Sequence, residues 1–510
     1  MKTIRQWGAA GLAVITMVTM TGWSAPAAAG SERGPTWTGC GPRLECAEVT
    51  VPLDWSRPHG QTITLPVVRH LASRPQQRIG SLFVNPGGPG DSGVEMATTR
   101  GDALDAATDG RFDIVGWDVR GAGGTARVDC FGDPAQRQAF WAGKPIPTTA
   151  AEQRAYLATT AEFARRCGAA NGELLTHIST ADTARDLDHL RHLVGDEQLS
   201  YLGESYGTFI GQVYANMYPR RVRAMALDGI ADPVAVTGGT ETALAAALVS
   251  TDKAFEQFLA TCQAAGPDRC ALAGHGPVAP RVDAMLRRLR HTPLPAPHAT
   301  PPGTLSYQEA LAPLKFAILG HPILWPEAAA ALETAIAGDG SAVKDAASFP
   351  ASEQFHRLVE PGQAITCADS PAKVRAARWP QVIHRFTQIS RIGGAPLGWG
   401  MGAACASWPA GDTHRYTGPW NAATSNPILL VNTKYDPNSP LVGARRVERL
   451  LGNAVLLVHD GYGHLTNSDP SSCVTAATRH YLVELTTPAP GSVCLSDRAP
   501  YDPAFGGPTP

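Results

Sequence analysis

The chain is 510 residues long with a formal net charge of −2, 44% hydrophobic residues and 17% charged ones. That length is enough for a large core and for more than one folded unit, and the near-neutral balance without a local Lys/Arg cluster excludes the electrostatic footprint of a nucleic-acid binder. With 52 Gly and 42 Pro, the composition favours long loops over idealised helical bundles.

Lys2 and Arg5 precede a mainly apolar run from Trp7 to Trp23, and Ala27-Ala28-Ala29 offers the small residues a signal peptidase requires. Residues 1–29 therefore read as a signal peptide, and the mature protein as secreted and extracellular. The run is broken by Thr16, Thr19, Thr21 and Gly22 and is short for a span. No cysteine stands in the lipobox position and nothing downstream resembles a span, so no stable membrane association is expected. All ten cysteines follow the cleavage site, and an even number in an exported chain suggests disulfides. Pairing nearest neighbours gives Cys40–Cys46, Cys130–Cys167, Cys262–Cys270, Cys367–Cys405 and Cys473–Cys494. The spacings contain no CxxC and no accompanying histidine pair, so neither a zinc site nor any other metal is expected.

After a loose stretch at 30–39, Leu44–Leu53 and Gln61–Arg69 flank a polar turn and predict a β-hairpin at one sheet edge. Ser81–Val84 is a buried-strand candidate leading into Asn85-Pro86-Gly87-Gly88-Pro89-Gly90-Asp91-Ser92-Gly93. That loop lacks the lysine of a phosphate-binding loop and the helix-borne spacing of a dinucleotide fingerprint. It reads as backbone that must approach a ligand closely. Arg111–Trp117 is the next strand, and Asp118 and Arg120 in the following turn are expected to pair and hold it. Helices are predicted over Ala151–Cys167 and Thr180–Leu193.

Leu199–Leu202 can enter a sheet, and Gly203-Glu204-Ser205-Tyr206-Gly207 follows, with a helix pattern from Thr208 to Tyr218 stopped by Pro219. A serine with glycine two positions away on either side, between strand and helix, is the nucleophile elbow of an α/β-hydrolase. The turn is so tight that the serine holds a strained backbone and its neighbours two residues away must lack a bulky Cβ. Val222–Asp228 is another strand. From about Pro233 to Ala404 the pattern changes to helices with proline-rich breaks: Thr240–Gln263, Arg281–Arg290, Ser306–Ile318, Trp325–Ala337 and Ala372–Ile389. Core strands resume at Pro427–Asn432 and Ala454–Val458. The expected organisation is a hydrolase core over 30–232 and 405–510, mostly parallel in its sheet, with a helical cap inserted over 233–404.

A serine hydroxyl needs a base within hydrogen-bond reach, and that base needs an orienting carboxylate. In chain order the acid and the histidine follow late strands. Asp436, after Ile428–Asn432, and His464, in Gly461-Tyr462-Gly463-His464, meet that requirement. Both loops would leave the carboxyl ends of parallel strands, where α/β sheets bind ligands. Asp228 is a rival acid; His459 and Asp460 are rivals less well placed. The backbone N–H groups of Tyr206 and Gly88 are the expected oxyanion donors, since Pro89 cannot donate. No metal or organic cofactor is needed for such chemistry.

With these residues in place, the sequence resembles the secreted tripeptidyl aminopeptidases of streptomycete type, within the proline-iminopeptidase-like α/β-hydrolases, over nearly the whole mature chain. The marks are the 85–93 loop, Trp117-Asp118-Val119-Arg120-Gly121, the 203–207 elbow, Asn432-Thr433-Lys434-Tyr435-Asp436-Pro437 and Gly461-Tyr462-Gly463-His464. The resemblance implies Ser205 as nucleophile, Asp436 as acid, His464 as base and Gly88 in the oxyanion loop. It also implies an exopeptidase removing short peptides, typically tripeptides, from free N-termini of peptides or unfolded proteins. Where proline iminopeptidases often carry a histidine before Gly-Gly-Pro-Gly, this chain has Pro86, which argues against single-proline specificity.

An aminopeptidase also needs a negative group for the substrate ammonium. Glu204, beside the nucleophile, and Glu327, Glu333 and Glu360, in or near the cap, are the candidates. Two other functions use the same features: a carboxylesterase or lactone hydrolase with the same triad, and a non-catalytic binding protein that keeps the fold.

Overall fold

The computed structural model describes residues 34–347, 353–409 and 411–505; the signal-peptide segment expected at residues 1–29 lies outside them. The strands are β1 (Thr38–Gly41), β2 (Leu44–Pro52), β3 (Thr62–His70), β4 (Gly80–Asn85), β5 (Phe112–Trp117), β6 (Leu199–Glu204), β7 (Val222–Asp228), β8 (Leu294–Ala296), β9 (Gly303–Leu305), β10 (Ile428–Tyr435), β11 (Ala454–Tyr462) and β12 (Val493–Leu495). Ten of them form one sheet in the order β1-β2-β3-β5-β4-β6-β7-β10-β11-β12, and β8 pairs with β9 apart from it. The predicted hairpin is β2 against β3, antiparallel with Leu44 opposite His70. From β5 onward every neighbouring pair is parallel.

Parallel strands joined by helical crossovers are covered on both faces, so they read as continuous apolar runs. β4 and β5 are buried at every residue. Phe83, Val115, Trp117, Tyr201, Met225 and Leu430 face one core, while Leu82, Val84, Ile114, Ala226, Leu429 and Leu457 face the other. Register sets the functional edge: Asn85 of β4 stands opposite Gly203 of β6, and Glu204 opposite Asp228 of β7. The loops leaving β4, β6 and β7 therefore emerge side by side. All ten cysteines are bonded in the nearest-neighbour pairs given above.

Several local expectations change. Arg120 does not hold its loop through Asp118. Its guanidinium is fully buried and bonds both oxygens of Asp186 at 2.7 Å, with Leu53 O and His177 O as further acceptors. Asp118 instead accepts from Ser92 Oγ at 2.6 Å. The strand ends at Trp117, so the two side chains no longer share a sheet face.

The single helix expected over Thr240–Gln263 is two, Thr240–Leu248 and Thr251–Ala265. Between them Ser250 and Thr251 turn their hydroxyls to Asp436 O and Pro437 O. The segment expected at Ser306–Ile318 is an α-helix over Tyr307–Pro313 that widens into a π-turn at Leu314–Ile318, where Pro313 supplies no N–H to the ladder. In Ala372–Ile389 the α-helix begins only at Trp379, after an extended Arg375 and a 3₁₀ turn over Ala376–Arg378. β8, β9 and the helix Glu353–Asp369 had no sequence counterpart; Pro361 and Gly362 inside that helix mimic a break. That helix places Ala364, Ile365 and Ala368 in the same core as β6 and its flanking helices, whereas Phe258, Leu286, Leu311 and Trp325 gather around a separate one.

Candidate active site

β6 runs into Ser205 at φ 52° and ψ −120°, and the helix Tyr206–Met217 starts at the next residue. A side chain at positive φ is strained and persists only where its surroundings hold it. Here Ser205 N donates to Asp228 O at 2.8 Å, and Thr208 N donates to Ser205 O at 2.9 Å. The flanking glycines are required by proximity. A Cβ on Gly203 would lie 2.5 Å from Gly207 O, and one on Gly207 would lie 2.7 Å from Asn85 O. The loop after β4 closes the other side. Gly87, at φ 101°, comes so near that a Cβ there would sit 2.6 Å from Glu204 O and 2.9 Å from Tyr206 N. Tyr206 N–H, at the start of its helix, has no intrahelical acceptor and lies at the positive end of the helix dipole. Gly88 follows in the same loop at φ 98°.

Two distant loops complete the arrangement. His464 Nε2 lies 2.9 Å from Ser205 Oγ, and its Nδ1 lies 2.9 and 3.0 Å from the two oxygens of Asp436. The His464 backbone is fixed by its N–H donating to Gly320 O at 2.8 Å. Asp436 is wholly buried, and its Oδ1 also accepts the N–H groups of Asn438 and Ser439 at 2.7 and 2.8 Å. With the carboxylate on Nδ1, the tautomer that leaves Nε2 free to accept from the serine is the favoured one. Burial works against charging this imidazole, but the charge and hydrogen bond of Asp436, with Asp228 beyond, outweigh it, so its pKa is raised. The arrangement is suited to withdrawing the Ser205 proton as a carbonyl is attacked and to returning it to a leaving group.

The rival residues have other partners. Asp228 accepts from Thr466 N and Oγ1 at 2.9 and 2.6 Å, and burial pushes its carboxyl up to about 7. His459 is fully buried near Thr433 and Ser496, and Asp460 pairs with Lys434 at 2.9 Å. Among the four candidate ammonium anchors, three are already engaged. Glu204 binds Arg100 through both oxygens at 2.7 and 2.8 Å, Glu333 binds Arg281 at 2.6 Å, and buried Glu360 takes Arg137 and the Cys130 N–H. Glu327 is exposed at the start of the Trp325–Ala337 helix.

Sequence reasoning missed a supporting group under Tyr206. Its hydroxyl meets Thr180 Oγ1 at 2.5 Å, and Thr180 donates through N and Oγ1 to Asp369 at 2.9 and 2.6 Å. Residues 189 positions apart carry no local signal of such a link. Arg100 and Lys315 were missed for the same reason.

Two family models match the chain: one described as alpha/beta hydrolase fold over residues 80–266, and one described as TAP-like protein over 393–494. The chain is similar to the serine protease Hip1 of Mycobacterium tuberculosis, 33% identical over 473 residues that cover 88% of this chain and 87% of that protein. It is 29% identical over 493 residues to the tripeptidyl aminopeptidase of Streptomyces lividans, covering 93% and 89% of the two chains. Carboxylesterase B of Mycobacterium tuberculosis is 32% identical over 477 residues, covering 88% and 86%. Likeness on this scale, together with the parallel sheet and the elbow at Ser205, means that the chain belongs to the α/β-hydrolase family, as a serine-hydrolase-type enzyme acting on ester or amide bonds.

Proposed function

We propose that this protein is a secreted serine exopeptidase that releases short peptides, most often tripeptides, from free N-termini. The observation that carries the reading is the hydrogen-bonded chain from Ser205 through His464 to Asp436, in a sequence whose relatives include a tripeptidyl aminopeptidase and a serine protease.

In the mechanism, His464 takes the Ser205 proton while Oγ attacks the scissile carbonyl, and Asp436 stabilises the imidazolium. The N–H groups of Tyr206 and Gly88 receive the oxyanion, each worth about 3 kcal/mol in the transition state. His464 then protonates the leaving amine, and water reverses the sequence to free the enzyme. The helices between β7 and β10 act as a cap that admits chain ends and excludes folded protein. Of the four acids, Glu327 is the proposed ammonium anchor, because the other three are neutralised by arginines. It lines a mainly apolar cavity of about 310 Å³ with Leu314, Ile318 and Leu324, and His464 N is held by Gly320 of that same stretch.

The esterase alternative rests on the Carboxylesterase B relative. Parallel assays with Ala-Ala-Pro-aryl amide, its N-acetylated form, single-residue amides and short acyl esters separate the two. A clear preference for the free tripeptide amide supports the exopeptidase; activity confined to esters overturns it.

A further inference from the structure

The π-turn at Leu314–Ile318 carries one buried cation. Lys315 is 3% exposed. Its Nζ lies 2.8 Å from Pro437 O, 2.8 Å from Asn438 Oδ1 and 3.3 Å from Thr251 Oγ1. The first two acceptors are the residues directly after Asp436. Ser250 and Thr251 hold the same turn by bonding Asp436 O and Pro437 O. Three side chains from the helices between β7 and β10 thus grip three consecutive residues of the acid loop. A buried ammonium with only neutral acceptors is costly, and a methionine would fill the same space without that cost.

We infer that Lys315 is a positioning residue for the reaction: it clamps the Asp436-Pro437-Asn438 turn so that the carboxylate stays aligned on His464. The inference rests on the reading of Ser205, His464 and Asp436 as the catalytic set. The charged form matters because an ammonium has three donors for three acceptors, whereas a neutral amine has two. Burial pulls its pKa down to about 8, against the attraction of Asp436. The groups facing it are Asp436 and, beyond, His464 from the two loops. Asp252, next to Thr251, accepts instead from Ser390 Oγ and the N–H groups of Arg391 and Ile392, and the uncharged Gly393 packs beside the Lys315 stem.

The test is the pH dependence of Ser205 phosphonylation by an alkyl fluorophosphonate, in which an Oγ–P bond forms, fluoride leaves and His464 takes the proton. It uses the full mature protein with disulfides intact. In the wild type the rate is expected to rise as His464 loses its proton, level off, and fall again near pH 8. K315M is expected to react about 10- to 100-fold more slowly on the plateau, a range set by ångström-scale misplacement, without the fall near pH 8. N438A, which removes one acceptor and leaves the charge, should slow the reaction less and keep that fall, so it serves if K315M does not fold. A folded K315M that reacts at the wild-type rate, or keeps the alkaline fall, overturns the inference, as does N438A indistinguishable from wild type. Absence of labelling in the wild type instead overturns the catalytic reading itself.

Discussion

Gly362 lies where the Glu353–Asp369 helix crosses the loop after β4, and a Cβ on it would sit 2.5 Å from Pro89 O. Ordinary contact begins near 3.4 Å, so Gly362→Ala demands about 0.9 Å of movement. The helix resists retreat, because Glu360 is tied to Arg137 and to Cys130 N–H at 2.7 Å. The start of the loop resists as well, since Gly87 already abuts Glu204 and Ser205. The displacement therefore falls on Pro89 and Gly88, the proposed oxyanion segment. An ångström of misplacement costs up to about 10²-fold in rate, and overpacking costs about 1–3 kcal/mol of stability. We expect G362A to lose about 10- to 100-fold in kcat with KM little changed, and to melt a few degrees lower. Kinetics on whichever substrate the wild type turns over, beside calorimetry, measure both. A variant with wild-type kcat would refute the argument that this helix braces the loop.

Asp436→Asn should lower kcat by about 10⁴-fold with the protein folded, because the amide no longer enforces the required imidazole tautomer; a fall below tenfold in steady-state assays would point to another acid. Arg100→Met leaves Glu204, 7% exposed, without its cation and with only a long 3.5 Å bond from Asn467 Nδ2, which should cost about 2–3 kcal/mol in urea unfolding, less than a fully dry pair because Arg100 is itself 35% exposed; an unchanged midpoint contradicts this. Burial pushes the carboxyls of Asp182, Asp228 and Asp369 up to about 7 and that of Asp469 to about 6. Above pH 4 the folded chain thus holds protons the unfolded chain has released, so the stability they contribute falls progressively from about pH 4 and is gone once pH has passed the folded values of about 6 to 7. His459, pulled down to about 4 by burial, acts in the opposite sense only up to its unfolded value of about 6.5. Calorimetry should show Tm falling from pH 6 to pH 8, with D228N and D369N flattening the slope; a rising Tm would contradict the protonated assignment.

The parallel sheet was legible in the sequence because buried parallel strands are near-continuous apolar runs, and β4 and the first halves of β10 and β11 read that way, while β5, β6 and β7 are broken only by Asp113, Ser200 and Arg223 before their ends. The elbow was legible because its two glycines answer close approaches, Gly203 to Gly207 O and Gly207 to Asn85 O. His464 and Asp436 were placed by position after late strands, and the structure brings their side chains within 3.0 Å of each other. What escaped was non-local. Nothing near Glu204 announces that Arg100 will neutralise it, since 104 residues separate them. Arg120 looked like the partner of Asp118 because the two are neighbours in the turn, yet burial among β2 and the Thr180–Leu193 helix gave it Asp186. The break at Ser250 is invisible to helix propensity because its cause lies in the Asp436 loop. β12 is three residues long, too short to carry an alternation.

Activation of Ser205 by His464 is read out by intact-mass and peptide-mapping analysis after treatment with a fluorophosphonate. One adduct per chain is expected, located on Ser205, lost in S205A and reduced at least a thousandfold in rate in H464A. No adduct on folded, disulfide-intact protein, or an H464A variant labelled at the wild-type rate, would contradict that activation.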